Sequence, residues 1–170
     1  MTPEAYDELA TYFARGLEHE RNVTGTLRAD IPRPPAEREL LPPMQEPRVD
    51  PHVGVAREGI QETKYADQLV TDMATVRSSK PHVEAFSCKS RRLRGQNIDE
   101  VKVIVQADIE EALSKYGRRL EVRRPDHPLF GRTVEVRKVH LVYEARLVDD
   151  NLRRAITELG ASQGVEVHFQ

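Results

Sequence analysis

Two short segments of this 170-residue chain place polar side chains among the apolar neighbours that are typical of β-strands. Asp67 interrupts the first segment, and Glu84, Ser87 and Lys89 interrupt the second. A carboxylate in a half-buried strand is costly unless it is paired, and a divalent cation is one such partner. Carboxylates that bind Mg²⁺ or Mn²⁺, with a lysine that orients water, can hydrolyse phosphodiesters. We therefore predict Asp67 and Glu84 as metal ligands and Ser87 and Lys89 as further catalytic residues.

Apolar periodicity predicts the elements that position these residues. The strands Lys64–Asp72 and Pro81–Ser90 form a hairpin around a turn at Thr75–Lys80. A helix over 97–116 follows, with a capping-box start at Asn97 and Gly117 at its end. The remaining predicted elements are a strand over Arg119–Arg123, a strand over Thr133–Leu147 that is long enough to bend or bulge, a helix capped by Asp149 or Asp150, and a strand over 165–169. This order predicts an α/β fold with a mixed β-sheet flanked by helices.

The first 59 residues have a different character. Thr2-Pro3-Glu4 is typical of a helix start, and we expect the helix to end at Gly25 at the latest. Seven of the eleven prolines lie within residues 31–51, so we expect no regular secondary structure there. The predicted organisation is an N-terminal helix over 1–25, a proline-rich extended linker over 26–59 and an α/β core over 60–170.

Charge and composition limit the functions that are compatible with this sequence. The net charge is −2, yet residues 77–94 hold six basic residues and one acid, so a polyanion can bind locally. Arg91, Arg92 and Arg94 are the predicted nucleic-acid-binding residues. No apolar run reaches the length of a membrane span, no signal peptide is visible, and a single cysteine excludes an internal disulfide. We therefore expect the protein to act in the cytoplasm. No spacing typical of metal ligands occurs among the histidines, namely His52, His127, His140 and His168.

An acid on one strand, an acid and a lysine on the next, and then a helix and a further strand resemble the PD-(D/E)xK restriction-endonuclease-like superfamily. The segments KYADQLVTD, HVEAFSCKSRRL and NLRRAITELGASQGVEVHF resemble the C-terminal nuclease domains of bacterial polymorphic toxins, over about residues 60–170. The resemblance implies Mg²⁺- or Mn²⁺-dependent cleavage of DNA, in preference to RNA, by an interbacterial toxin effector that is delivered into a target cell. It also implies an immunity protein as a partner, Asp67 as the first metal ligand and Lys89 as the lysine.

The second acid of that pattern lies two residues before the lysine, where this chain has Ser87. Glu84 lies five residues before Lys89, and in a regular strand it points to the opposite face. A bulge can bring Glu84 round, an acid from elsewhere such as Glu62 can replace it, or the site is degenerate. Two alternatives to a nuclease therefore stay open. One is a non-catalytic α/β interaction or assembly protein, and the other is a degenerate nuclease fold that only binds nucleic acid.

Overall fold

The computed structural model describes residues 2–170, which form helices and a mixed β-sheet. The helices are α1 (Pro3–Asp30), α2 (Ile98–Tyr116) and α3 (Asp150–Ala161). The strands are β1 (Pro47–Arg57), β2 (Lys64–Asp72), β3 (Val83–Lys89), β4 (Arg119–Val122), β5 (Thr133–Tyr143) and β6 (Val165–Phe169). The predicted α/β class, with a mixed sheet flanked by helices, is confirmed.

Strands β1, β2 and β3 form an antiparallel meander, and α2 then crosses over so that β5 lies parallel to β3. The connection through α3 places β6 parallel to β5. The short β4 pairs antiparallel with both β1 and β5. Strand β5 carries the expected bulge, because Val83 pairs with Val136 while Glu84 pairs with Lys138, which leaves Arg137 as an extra residue.

Helix α2 follows the sequence prediction closely. The side chain of Asn97 accepts a hydrogen bond from the backbone N–H of Asp99 at 2.8 Å, which satisfies one of the free donors of the first turn. The buried face of α2 includes Val105 and Ile109, which join the larger of two apolar clusters together with Ala85 from β3. Helix α2 therefore packs on the face of β3 that carries Ala85.

Helix α1 is longer than predicted, since it continues through Gly25 to Asp30. A glycine inside a helix costs about 1 kcal/mol relative to alanine, and tertiary burial outweighs that cost here. Val23 and Leu27 are fully buried in the second apolar cluster, together with Phe86 from β3. Helix α1 therefore covers the opposite face of the sheet from α2.

The prediction that residues 31–51 lack regular structure is wrong at its C-terminal end, because β1 begins at Pro47. Strand β1 pairs with β2 from Pro47 opposite Asp72 to Val55 opposite Lys64. The prolines are tolerated because β4 pairs only with the last three residues of β1, so the strand edge beside Pro47 and Pro51 has no partner strand that needs an N–H. The predicted linker over 26–59 thus contains the end of α1 and a strand of the sheet.

The segment between α1 and β1 is held against the sheet by Asp30, which is fully buried. Its carboxylate accepts hydrogen bonds from the backbone N–H groups of Glu39, Leu40 and Leu41 at 3.1, 2.8 and 3.0 Å. Residues 38–43, which we name the strap, are therefore held in place over part of the sheet face that α1 covers. None of the helices within residues 2–170 has the length and apolar character needed to cross a membrane.

Candidate functional site

Two carboxyl groups from distant parts of the chain meet where α1 crosses β2. Glu20 lies on the sheet-facing side of α1, and it lines the same cavity as Asp67. Burial, and then the nearby negative charge of Asp67, raise the pKa of Glu20 to about 7. Near neutral pH Glu20 is therefore partly protonated, or a cation binds in place of its proton.

An irregularity in β2 turns Asp67 towards α1. The ladder between β2 and β3 runs from Thr71 only as far as Gln68, which lies opposite Phe86. Beyond that point the Asp67 carboxylate accepts a hydrogen bond from the backbone N–H of Cys88 at 2.7 Å. In a regular ladder, a backbone carbonyl of the neighbouring strand would accept this hydrogen bond. The adjacent Gln68 also faces α1 and donates to the Glu20 carbonyl oxygen at 3.1 Å. These contacts fix α1, and with it the Glu20 side chain, over the end of β3.

Lys89 is the last residue of β3, one residue beyond the N–H that binds Asp67. Its ammonium group lies 3.2 Å from a carboxylate oxygen of Glu111 on α2, and the other oxygen of Glu111 lies 3.0 Å from Lys115. Burial raises the pKa of Glu111, but the hydrogen bond from Lys115 and the charge of Lys89 outweigh this and lower it. Glu111 is therefore an anion that holds Lys89 at the end of the strand.

Glu20 and Lys89 line one cavity of about 220 Å³ between α1 and the end of β3. Two aromatic side chains of α1, Tyr12 and Phe13, form part of its wall and are 50% and 61% exposed. A second cavity of about 560 Å³ also contains Glu20, and there Asp67 lies beside it. Glu20 therefore stands at the boundary of two openings, with the carboxyl pair on one side and the lysine on the other.

The predicted partners of Asp67 lie elsewhere. Glu84 lies opposite Val70 in the ladder, three residues from Asp67, or about 10 Å along the strand. Its carboxylate contacts His82 at 2.6 Å and His140 at 2.7 Å. The prediction that Asp67 and Glu84 share a metal is corrected accordingly: β3 has no bulge that brings Glu84 round, because the bulge of this ladder lies in β5.

The alternative acid Glu62 does not replace Glu84, since it is 68% exposed and pairs with Lys64 at 2.9 Å. Ser87 is buried on the strand face that it shares with Ala85, which packs against α2. The carboxyl group beside Asp67 comes instead from α1, a segment that the sequence analysis treats as separate from the core.

The three predicted nucleic-acid-binding arginines differ in their surroundings. Arg91 donates two hydrogen bonds to the buried Asp108, at 2.8 and 3.3 Å, and Asp108 also accepts from the hydroxyl of Tyr143. Arg94 is 63% exposed and lies 3.3 Å from Asp149. Arg92 is exposed, and its guanidinium has no ion-pair partner within residues 2–170. Arg91 is therefore committed to a structural ion pair, while Arg92 and Arg94 remain on the surface.

A cluster of histidines lies on the sheet face that α1 covers. Its members are on β5 and β6, which are two and three strands away from β2, the strand of Asp67. Nδ1 of His140 on β5 lies 2.9 Å from Nε2 of His168 on β6, and Glu166 lies 3.8 Å from that same nitrogen. Burial raises the pKa of Glu84, but the hydrogen bonds and charges of His140 and His82 outweigh this and lower it. Burial, and then the charge of His140, lower the pKa of His168 to about 4.

No metal-ligand spacing is visible among the histidines in the sequence, because the members of this cluster belong to different strands. His140 and His168 are 28 residues apart along the chain, and parallel pairing of β5 with β6 brings them together. The alternation of Glu166 and His168, which puts both on one face of β6, is the only local signal. Comparisons of this chain with protein-family models, with curated proteins and with solved structures give no match.

Proposed function

We propose that this protein is a divalent-metal-dependent nuclease whose metal ligands are Glu20 and Asp67. The observation that carries the proposal is the proximity of these two carboxyl groups in one cavity, together with a second cavity that Glu20 shares with Lys89. Structural carboxylates are normally paired with cations or with N–H donors, whereas Glu20 has another carboxyl group as its partner. Such an arrangement destabilises the metal-free protein and is explained by a ligand of opposite charge.

The donor set suits Mg²⁺ or Mn²⁺. Both side chains offer carboxylate oxygens, which are the hard ligands that these ions prefer. Mg²⁺ is commonly bound through one or two carboxylates and keeps several water molecules, so two acids are sufficient. The N–H of Cys88 holds one oxygen of Asp67 at 2.7 Å, which leaves the other oxygen available.

The bound cation would supply polarisation of a phosphodiester oxygen and acidification of a bound water. The residues of the chain would do the positioning. Lys89 lines the same cavity as Glu20, and its ammonium group, which is held by Glu111 of α2, would offer a positive charge to the negative charge that develops during hydrolysis. Tyr12 and Phe13 offer exposed aromatic faces at the same cavity, and such faces stack nucleic-acid bases independently of sequence.

The topology supports this proposal as well. The strands β2 and β3, then α2 and then a further strand, β4, follow the order on which the resemblance to restriction-endonuclease-like proteins rests. The departure is the origin of the second acid, which comes from α1 instead of from the position of Ser87. A toxin role and an immunity partner would follow from the resemblance alone.

A cleavage assay with matched variants tests the proposal. Purified protein is incubated with supercoiled plasmid, single-stranded DNA or RNA in the presence of Mg²⁺, Mn²⁺ or EDTA. We expect metal-dependent cleavage that falls by about 10²–10³ in Glu20→Gln, Asp67→Asn and Lys89→Met. Glu18→Gln, on the exposed face of the same helix, is the control and should retain activity. Absence of cleavage with every substrate and metal, or full activity in Glu20→Gln, would refute the assignment.

One observation favours a different function, that of an interaction or assembly protein. The N-terminal half of α1 exposes apolar side chains at helical spacing, namely Tyr6 (64%), Leu9 (41%), Phe13 (61%) and Leu17 (54%). If no substrate is cleaved while Leu9→Lys and Phe13→Lys change the oligomeric state in analytical ultracentrifugation, the assembly function replaces the nuclease.

A further inference from the structure

The histidine cluster on β5 and β6 has the ligand types and the spacing of a transition-metal site. His140, Glu166 and His168 each offer one ligand atom, and the three atoms lie within 4.8 Å of one another. The separations are 2.9 Å between the two imidazole nitrogens and 3.8 Å between the His168 nitrogen and a Glu166 oxygen. Ligands at 2.0–2.1 Å from a tetrahedral Zn²⁺ lie about 3.3 Å apart, and the two separations bracket this value.

The groups behind His140 hold it in the orientation that such a site requires. Its Nε2 lies 2.7 Å from Glu84, whose other oxygen lies 2.6 Å from His82. Because an ionised carboxylate only accepts hydrogen bonds, Nε2 of His140 donates to Glu84, so in the neutral imidazole Nδ1 offers a lone pair towards His168. The ring of Phe86 stacks on His140 with its centroid at 4.1 Å and fixes the imidazole plane. A carboxylate behind a ligating histidine is the usual support of a zinc ligand.

The third group is also arranged for binding. One oxygen of Glu166 contacts Lys138 at 3.0 Å, while its other oxygen faces His168. A cavity of about 400 Å³ adjoins all three groups and is closed on one side by the strap. This cavity leaves room for a water molecule as a fourth ligand, as in zinc sites that have three protein ligands.

From this geometry we propose that His140, Glu166 and His168 bind a Zn²⁺ ion, with Glu84 as a positioning residue. Imidazole nitrogens select Zn²⁺ over Mg²⁺, which prefers oxygen ligands only. The site is separate from the Glu20–Asp67 pair, since β3 and β5 lie between β2 and β6, a distance of about 14 Å across the sheet. Zinc binding here does not depend on the proposed nuclease function.

Metal titration of tag-free protein, first stripped with a chelator, tests the site. We expect one Zn²⁺ per chain by isothermal titration calorimetry in excess Mg²⁺, which occupies the Glu20–Asp67 pair, and visible absorption typical of four-coordinate Co²⁺ when Co²⁺ is used instead. His168→Asn and Glu166→Gln alter partly exposed residues and should fold, which circular dichroism checks. Both should weaken binding by at least about 10-fold, and Glu84→Gln should weaken it by about 10–100-fold through the orientation of His140.

Two controls separate this site from the rest of the protein. His52→Ala removes a histidine that stacks on Tyr65 outside the cluster, and Glu20→Gln alters the other candidate site. Both should bind Zn²⁺ as wild type does. The proposal is overturned if folded His168→Asn and Glu166→Gln bind Zn²⁺ with wild-type affinity, if wild type binds none, or if Glu20→Gln abolishes binding.

Discussion

Replacing Glu20 with glutamine should stabilise the metal-free protein at alkaline pH, although it removes a proposed ligand. The pKa of Glu20 rises from 4.5 to about 7 because of burial and the adjacent Asp67. A group whose folded pKa is raised contributes stability that is complete below pH 4.5 and is lost as the pH rises through 7. Glutamine cannot ionise, so the variant does not lose this contribution.

The magnitude follows from the same shift. At about 1.4 kcal/mol per pH unit, the rise corresponds to a loss of about 3 kcal/mol between acid and alkaline pH. Glu20 is only half-buried and solvent screens part of the repulsion, so we expect about 1–2 kcal/mol in practice. Glu20→Gln should therefore exceed wild type by that amount at pH 8 in EDTA and should match it at pH 4.5.

Urea unfolding followed by circular dichroism, at pH 4.5 and pH 8 with EDTA or Mg²⁺, measures this effect. At pH 8, Mg²⁺ should stabilise wild type and leave Glu20→Gln unchanged, because the cation replaces the proton of Glu20. Glu18→Gln should follow wild type throughout. A stability difference between Glu20→Gln and wild type that is independent of pH would show that the pKa of Glu20 is not raised, and the argument for the metal site would fail.

Two further substitutions test the parts of the fold that support the sites. Asp30→Ala removes the acceptor of two buried N–H groups, those of Leu40 and Leu41. At about 1–3 kcal/mol for each group, we expect the free energy of unfolding in urea to fall by about 3 kcal/mol, with faster hydrogen exchange in the strap. Unchanged exchange in the strap would contradict the anchoring role of Asp30. Gly160→Ala should cost about 1–3 kcal/mol because its Cβ would lie 2.5 Å from a methyl carbon of Val167, whereas Gly16→Ala, with no atom within 4 Å, should stabilise the helix by about 0.5–1 kcal/mol; equal melting temperatures for the two variants would contradict the close packing of α3 on β6.

Local patterns in the sequence predict most of the elements because each depends on its own residues. Helix α2 has its cap at Asn97 and a regular apolar face, and the hairpin of β2 and β3 has apolar segments on both sides of a turn. Strand β1 could not be predicted in this way. Its prolines hide the strand from any local rule, and they are compatible with pairing only because one edge of β1 is largely free, which is a property of the assembled sheet.

The candidate sites are harder to predict because their members meet only through tertiary structure. Asp67 and Lys89 can be named from their strands, whereas Glu20 lies 47 residues before Asp67 on a helix with many exposed acids. Nothing local distinguishes Glu20 from Glu18; the packing of Val23 and Leu27 selects the face that points at β2. Similarly, the bulge at Arg137 determines which side chains of β5 face α1. The sequence predicts a bend or a bulge in this long strand, but it does not predict at which residue.

The N-terminal segment is therefore part of both candidate sites and is not an attachment to the core. Glu20 of α1 completes the acid pair, and the strap closes the cavity beside His140 and His168. Asp30 joins the two, since it ends α1 and binds the backbone of the strap. Movement of α1 away from the sheet would disrupt the acid pair at one end and release the strap at the other. The same helix exposes its apolar N-terminal half to solvent, so the part of α1 that supports both sites is its C-terminal half.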